Sequence, residues 1–436
     1  MSNADCLPLP LRTAVAPARF LPFPPHFVSS SPLPSPTPRL KLRLTPAGER
    51  AVRSGHPWIF AESIREQNRD GQSGELAVIY TRESNRYLGT GFYDANSPMR
   101  VRMLASTQQT TINTDWWQAR LNTAVAARTS LVSPATTGIR LINGESDGFP
   151  ALVLDRYHNT LVLKLYSEVW LPHLDMIQAL IVDSLKPDAL VLRLSRNAAP
   201  AFAAADITEG IRHGQCSEVV VFLEDNLRLE AEVLKGQKTG FYLDQRENRR
   251  RFAGFTTGAH VLNAFSFSGG FSLQAARGGA RSVTDIDISR HALAAGDRNF
   301  ALNQDNPAVA NCQRHSIQAD AFQWLANPQH TFDAAVIDPP SLARRESDRT
   351  SAIAAYHKLA ITASRHVRGG GLLLCSSCSA HVSADEFFNA VRRALPDARE
   401  LWTSTHAPDH PAAFPEAAYL KAIALRLASV GRFRNR

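Results

Sequence analysis

The chain has 436 residues, enough for two or three domains, and 44% of them are hydrophobic, which excludes a wholly disordered protein. No apolar run reaches the ~20 residues that a membrane-spanning helix needs. A net charge of +8 fits either a polyanionic partner or a plain basic surface, and five cysteines without framework spacing argue for reduced thiols in a cytoplasmic setting.

Residues 1–38 are rich in proline and small residues (PLPLR, FLPFPP, SSPLPSPTP), with Asp5 as the one acid. They read as a disordered leader, either a targeting peptide or an overlong start. At Arg39 the texture changes. LKLRL alternates as a strand, Pro46–Arg53 follows as a short helix, and WIF, GELAVIYT, YLGTGFYD and MRVRML read as short strands. This predicts a small β-barrel over 39–105, whose Arg39, Lys41 and Arg43 either touch phosphates or form a solvated face.

Residues 106–235 read as a mixed α+β middle domain. Thr114 to Arg128 is predicted helical, with Trp117, Leu121 and Val125 on one face. Two strands meet at a turn over Tyr157–Asn159, a helix spans Pro172–Leu185, and Ala189–Leu194 is a strand. Glu218–Leu223 and Leu227–Leu234 then form a hairpin. Glu145 and Asp147, beside Gly144 and Gly148, read as a structural turn, since no histidine or third acid accompanies them. Residues 196–216 carry little signal.

KGQKTGFYLDQRENRRRF is dense in charge, glycine and aromatics. Arg246, Arg249, Arg250 and Arg251 come too quickly to share one buried face, which leaves a solvated helix face or nucleic-acid contact. The stretch that follows is the most informative. An apolar strand, Val261–Phe265, empties into a turn with Gly269 and Gly270, then a helix, then a second strand ending on Asp287. Such glycines let backbone N–H groups approach a ligand, and a carboxylate at the next strand tip suits a ribose hydroxyl pair. G-x-G-x-x-G is missing, so a dinucleotide fits poorly. A zwitterionic nucleoside such as S-adenosylmethionine needs only the open turn and the acid.

Further strands are predicted at His315–Ala319, Phe332–Asp338, Gly371–Cys375, Glu400–Ser404 and Tyr419–Leu427. Helices over Asp320–Leu325, Ser351–Val367 and Ser383–Leu395 lie between them, but none separates the last two strands. Seven strands in this order predict an α/β doubly wound sheet closed by a hairpin, the Rossmann-like class I methyltransferase arrangement, over 236–436. Asp287, Asp320, Asp338 and Cys378 fall at strand tips, where such sheets bind ligands.

FDAAVIDPPSL sets Asp338 before two prolines, which lack N–H groups and leave the carboxyl free to hold a base. Enzymes that methylate exocyclic amines carry an aromatic where Ser341 stands, which counts against that chemistry here. Cys378 lies just past the next strand. Carbon 5 of cytosine attacks a methyl sulfonium only after a nucleophile has added to carbon 6, and a thiolate does this well. Cys375 reads as core; a zinc site lacks further ligands, and a redox Cys-x-x-Cys should open a helix.

KTGFYLDQR, LNAFSFSGGFS, Asp287–Ser289, DAFQWL, DPPSL, SCSAH and DHPAAFPEAAYLK occur in this order. With the barrel, they resemble the PUA-containing large-subunit ribosomal RNA cytosine-5 methyltransferases over 39–427, most strongly from Gly236 onward. The resemblance implies S-adenosylmethionine as cofactor, ribosomal RNA as substrate, a cytoplasmic location and a homodimer. It implies that Phe241, Asp244, Gln245 and Arg246 belong to the loop that covers the cofactor, with Ser266 and Gly269 under its methionine part. Asp287 would hold the ribose, Asp320 the adenine side, Asp338 the cytosine, and Cys378 would be the thiolate. The chain departs from the family at Ala264, Phe267 and the Arg344–Arg345 pair. His381 and water both remain open as the base that removes the carbon-5 proton. An amine-methylating RNA enzyme and a non-catalytic assembly factor are the competing readings.

Overall fold

The structure, a computed structural model, describes residues 39–429. The proline-rich leader at 1–38 and the basic residues Arg432, Arg434 and Arg436 lie outside the described residues. Among the described residues no helix is long and apolar enough to cross a membrane.

The first strand, Leu40–Leu44, buries Leu40, Leu42 and Leu44 and turns Lys41 outward, as its alternation requires. It sits inside a six-stranded sheet, parallel to Leu76–Tyr80 and antiparallel to Ile64–Gln67. Arg43 does not project freely. It donates to Asn85 and to the Arg82 carbonyl, and it pairs with Glu66.

A five-stranded sheet follows in the order Gly210–Gly214, Ala189–Leu194, Thr160–Leu165, Leu152–Tyr157, Gly138–Asn143. Its edge strand GIRHG lies in the stretch that carried little signal, because it is mostly exposed and has no apolar alternation. The helix expected from Pro172 begins at Leu174, since Glu168–His173 winds as a 3₁₀ turn through that proline. Glu145 and Asp147 are structural. Asp147 accepts two bonds from Arg128 at 2.8 and 2.7 Å, while Glu145 accepts from Trp58 and Arg102 of the barrel and so joins it to the middle domain.

Seven strands build the last sheet: β1 (His260–Ala264), β2 (Ser282–Asp287), β3 (Gln313–Gln318), β4 (Phe332–Ile337), β5 (Val367–Ser377), β6 (Arg399–Ser404) and β7 (Lys421–Arg426). Their order is β3-β2-β1-β4-β5-β7-β6. The first five are parallel, and β7 runs antiparallel to both its neighbours. The apolar runs of β1, β4 and β5 are buried, as expected of strands covered by helices on both sides.

The arginine-rich segment departs from the sequence reading. Arg246 and Arg249 are three residues apart on the helix Arg246–Ala253, so they do share a face, and that face is buried. Arg246 forks onto Asp409 at 3.0 and 2.9 Å, and Arg249 onto Glu224 at 2.7 and 2.5 Å. Arg250 pairs with Asp225, and Arg251 lies over the Trp402 ring. The pairs to Glu224 and Asp225 hold the last domain to the middle-domain hairpin, while the contacts to Asp409 and Trp402 tie the helix into its own domain. Asp409→Ala, which strands the Arg246 guanidinium in the interior, is expected to cost about 3–5 kcal/mol, read as a lower urea midpoint.

Candidate active site

β1 ends at Ala264 and the chain turns at once. Phe265, Phe267 and Gly269 all have positive φ (62°, 48° and 74°), a conformation that bulky residues rarely adopt. Hydrogen bonds hold the turn: Ser266 N–H donates to the Ile286 carbonyl at 3.0 Å, and Phe267 N–H to the Asp287 carboxylate at 2.8 Å. Asp287 also accepts from Ser289 N–H at 2.8 Å. The helix Gly270–Arg277 starts here with its N-terminus toward the carboxyl ends of the strands. A side chain at Gly270 would put its Cβ 3.1 Å from Phe241 Cζ and 3.2 Å from Arg249 Cδ, so the loop over the turn packs against bare backbone.

Above this turn lies a cavity of about 750 Å³. The loop 237–245, the turn after β1, Asp287, Asp320, Asp338 and Cys378 all line it. Asp320 caps the helix Ala321–Leu325 by accepting from Gln323 N–H at 3.0 Å. Gln245 donates to Asp338 at 2.9 Å and is itself oriented by Asn248 at 2.6 Å. Burial, reinforced by the nearby Asp244 charge, pushes the Asp338 carboxyl up to about 7. Tyr419 donates to one Asp244 oxygen at 2.9 Å; the other, Oδ1, is buried without a partner, as is Ser266 Oγ.

Cys378 follows β5 directly and is half-buried, with Sγ 4.0 Å from the Pro339 carbonyl. Burial raises its thiol to about 11, the Asp338 and Asp244 charges add to that, and Lys238 and Lys421 oppose it. Cys375 lies within β5, buried and pushed up to about 12 by desolvation alone.

Three expected residues stand elsewhere. Arg246 does not face the cavity, because Asp409 holds its guanidinium. Gly269 is not part of the cavity lining; a Cβ there would come 3.3 Å from Asp285 Oδ2, and its positive φ shapes the turn. His381 is exposed beside Glu346 at 3.3 Å and lines none of the cavity. Conversely, Ile288, Phe322, Tyr242 and Tyr419 line it and were not singled out from the sequence. Ile288 is 70% exposed, a signal visible only once Asp287 is known to end β2.

Comparison with known families matches residues 42–106 to a PUA-like domain and residues 193–426 to an S-adenosylmethionine-dependent methyltransferase. The chain belongs to the S-adenosylmethionine-dependent methyltransferases. A ribosomal RNA large subunit methyltransferase of Deinococcus radiodurans is 51% identical over 407 residues, covering 90% of this chain and 98% of that protein. Ribosomal RNA large subunit methyltransferase I of Shewanella frigidimarina is 34% identical, covering 89% and 99%. A solved structure from Streptococcus mutans, assigned as a SAM-dependent methyltransferase, superposes with a TM-score of 0.74 at 22% identity, covering 89% and 100%. Another methyltransferase, solved with SAH, gives 0.75 at 21%, covering 89% and 100%. At that identity the likeness shows the fold.

S-adenosylmethionine is the cofactor of this methyltransferase, and the cavity fits it. Two carboxylates stand at the tips of β2 and β3, Ile288 and Phe322 give apolar flanks, and Ser266 Oγ and Asp244 Oδ1 are unpaired. Those are the groups that a nucleoside bearing an amino acid calls for.

The raised thiol gives a direct test. Alkylation of Cys378, followed by peptide mass spectrometry, should keep accelerating beyond about pH 9, where an ordinary thiol near 8.5 levels off. Asp338→Asn should bring the plateau to lower pH, because the Asp338 carboxylate disfavours a neighbouring thiolate.

Proposed function

We propose that this methyltransferase modifies carbon 5 of a cytosine in large-subunit ribosomal RNA, through a covalent adduct of Cys378. The names of the Deinococcus and Shewanella relatives support the RNA. The observation that carries the chemistry is the placing of a thiol and a carboxyl with raised pKa values at the ends of adjacent strands, in the cofactor's own cavity.

Bound S-adenosylmethionine supplies the methyl group. Asp287 would hold its ribose hydroxyls, Asp320 its adenine side, Ser266 its methionine part, and Phe241, Asp244 and Gln245 would cover it. The target cytosine leaves its stack, at a cost of a few kcal/mol, and enters beside Asp338. The Cys378 thiolate forms a bond to carbon 6, and the ring electrons shift toward N3, where Asp338 donates a hydrogen bond. A carboxyl near 7 is partly protonated at neutral pH and can do this. Carbon 5, now nucleophilic, takes the methyl group as the donor's sulfonium–methyl bond breaks and leaves a neutral thioether. Water accepts the carbon-5 proton, the electrons of that C–H bond restore the ring double bond, and the carbon 6–sulfur bond breaks to release the thiolate. His381 takes no part in this account, since it faces away from the cavity. Ser341 is tied to Ser379 at 3.1 Å, and no aromatic stands there to stack a base for amine methylation.

Labelled cofactor and ribosomal RNA, incubated with the protein and digested to nucleosides, should yield 5-methylcytidine. A methylated guanine or adenine amine would overturn the reading, and no transfer would favour an assembly factor. Asp287→Ala should weaken cofactor binding by about 1.5–3 kcal/mol, the worth of hydrogen bonds to a charged group. Calorimetry showing unchanged affinity would remove Asp287 from the ribose site.

A further inference from the structure

Cys378 is the first residue past β5, so no sheet hydrogen bond fixes it, yet carbon-6 attack needs its thiol set against the Asp338 loop. The residues on either side of it, Ser377 and Ser379, are both completely buried. We infer that the Ser379 hydroxyl, with Tyr356 and Lys421, is the clamp that positions the Cys378 thiol against Asp338; this rests on the carbon-5 reading.

The DPPSLA turn has few ways to be held. Pro339 and Pro340 have no N–H group. Further along the turn, the N–H groups of Leu342 and Ala343 both donate to Ser379 Oγ, at 3.1 and 3.2 Å. A hydroxyl has two lone pairs and one hydrogen. Besides those two amides, Ser379 Oγ meets Tyr356 Oη at 2.7 Å and Ser341 Oγ at 3.1 Å, so its one hydrogen is shared between two hydroxyl neighbours. Ser377 donates to the same Tyr356 oxygen at 2.8 Å. The two residues that bracket Cys378 therefore meet on one phenol, and one of them also grips the loop carrying Asp338.

Lys421 closes the clamp from the other side. It opens β7, is fully buried, and donates to the carbonyls of Ser379, at 2.5 Å, and of Val382. Its ammonium meets backbone oxygens beneath the segment that follows the thiol, and its charge favours a thiolate at Cys378. Buried hydroxyls often only satisfy one another inside a core. Here every link in the set ends on one of the two segments that must meet a single pyrimidine ring. Misplacing a reacting group by about 1 Å costs on the order of 100-fold in rate.

The test is single-turnover methylation by the full chain, with cofactor and RNA affinities measured beside it. Ser379→Ala should lower the rate by about 100-fold while both affinities stay at the wild-type values. A wild-type rate, or a loss matched by equal losses in cofactor and RNA affinity, would overturn the clamp. Tyr356→Phe keeps the ring, which packs edge-on against Phe387 at 5.1 Å, and removes only the shared oxygen. It should slow the reaction about tenfold, the worth of one hydrogen bond, and it carries the test if Ser379→Ala does not fold. An unchanged Tyr356→Phe rate would equally overturn the clamp. RNA containing 5-fluorocytosine separates the two levels of the argument. If the wild type traps no adduct at Cys378, the carbon-5 reading itself fails. If the wild type traps one and Ser379→Ala traps it equally fast, only the clamp fails.

Discussion

Two buried guanidinium groups, one helical turn apart, hold the rim of the cavity together. Arg246 reaches Asp409 in the connection between β6 and β7, while Arg249 reaches Glu224 of the middle hairpin and the Tyr242 carbonyl at 2.9 Å. The loop that covers the cavity enters the helix carrying both, so its position follows from these pairs. Buried ion pairs add little net stability over well-packed apolar residues, but removing one partner is costly. What they provide here is a single arrangement of three segments distant in sequence. Asp409 extends the same junction: it accepts from Arg140 N–H, and its carbonyl accepts from Arg128.

On that frame, the carboxyl ends of the strands divide the work. β1 contributes backbone through a turn under strain, Asp287 at the end of β2 and Asp320 two residues past β3 contribute carboxylates, and Asp338 and Cys378 stand just past β4 and β5. Burial raises the Cys378 thiol to about 11 and the Asp338 carboxyl to about 7, so at neutral pH the thiol is protonated and the carboxyl partly so. A positive charge in the cavity would favour the ionised forms of both groups. The barrel joins the same assembly: Phe414, from the β6–β7 connection, packs against Trp58 at 5.0 Å.

The parts legible in the sequence are those whose signal is local. Apolar runs marked β1, β4 and β5, while β3 and β6, which are largely polar, followed from the alternation of strands and helices; boundaries are off by two to four residues where β3 and β5 start early. Telling Cys375 from Cys378 needed only the end of β5, because a strand interior points into packing and its tip into the cleft. What stayed hidden depends on partners far along the chain. Asp409 lies 163 residues from Arg246, and nothing near Arg246 announces that its charge is neutralised in the interior. Tyr419 read as strand, yet β7 starts at Lys421, and the two residues before it turn into the cavity. The buried role of Lys421 was equally invisible, since its partners are backbone carbonyls and carry no residue identity.

The central claim is that Cys378, and no other cysteine, forms the bond to the pyrimidine ring. The most direct measurement is methyl transfer to carbon 5 of cytosine in ribosomal RNA by Cys378→Ala and Cys375→Ala, with cofactor affinity measured on each. The account predicts that Cys378→Ala binds the cofactor normally and transfers nothing, while Cys375→Ala remains active. A Cys378→Ala protein that still methylates its RNA would contradict it.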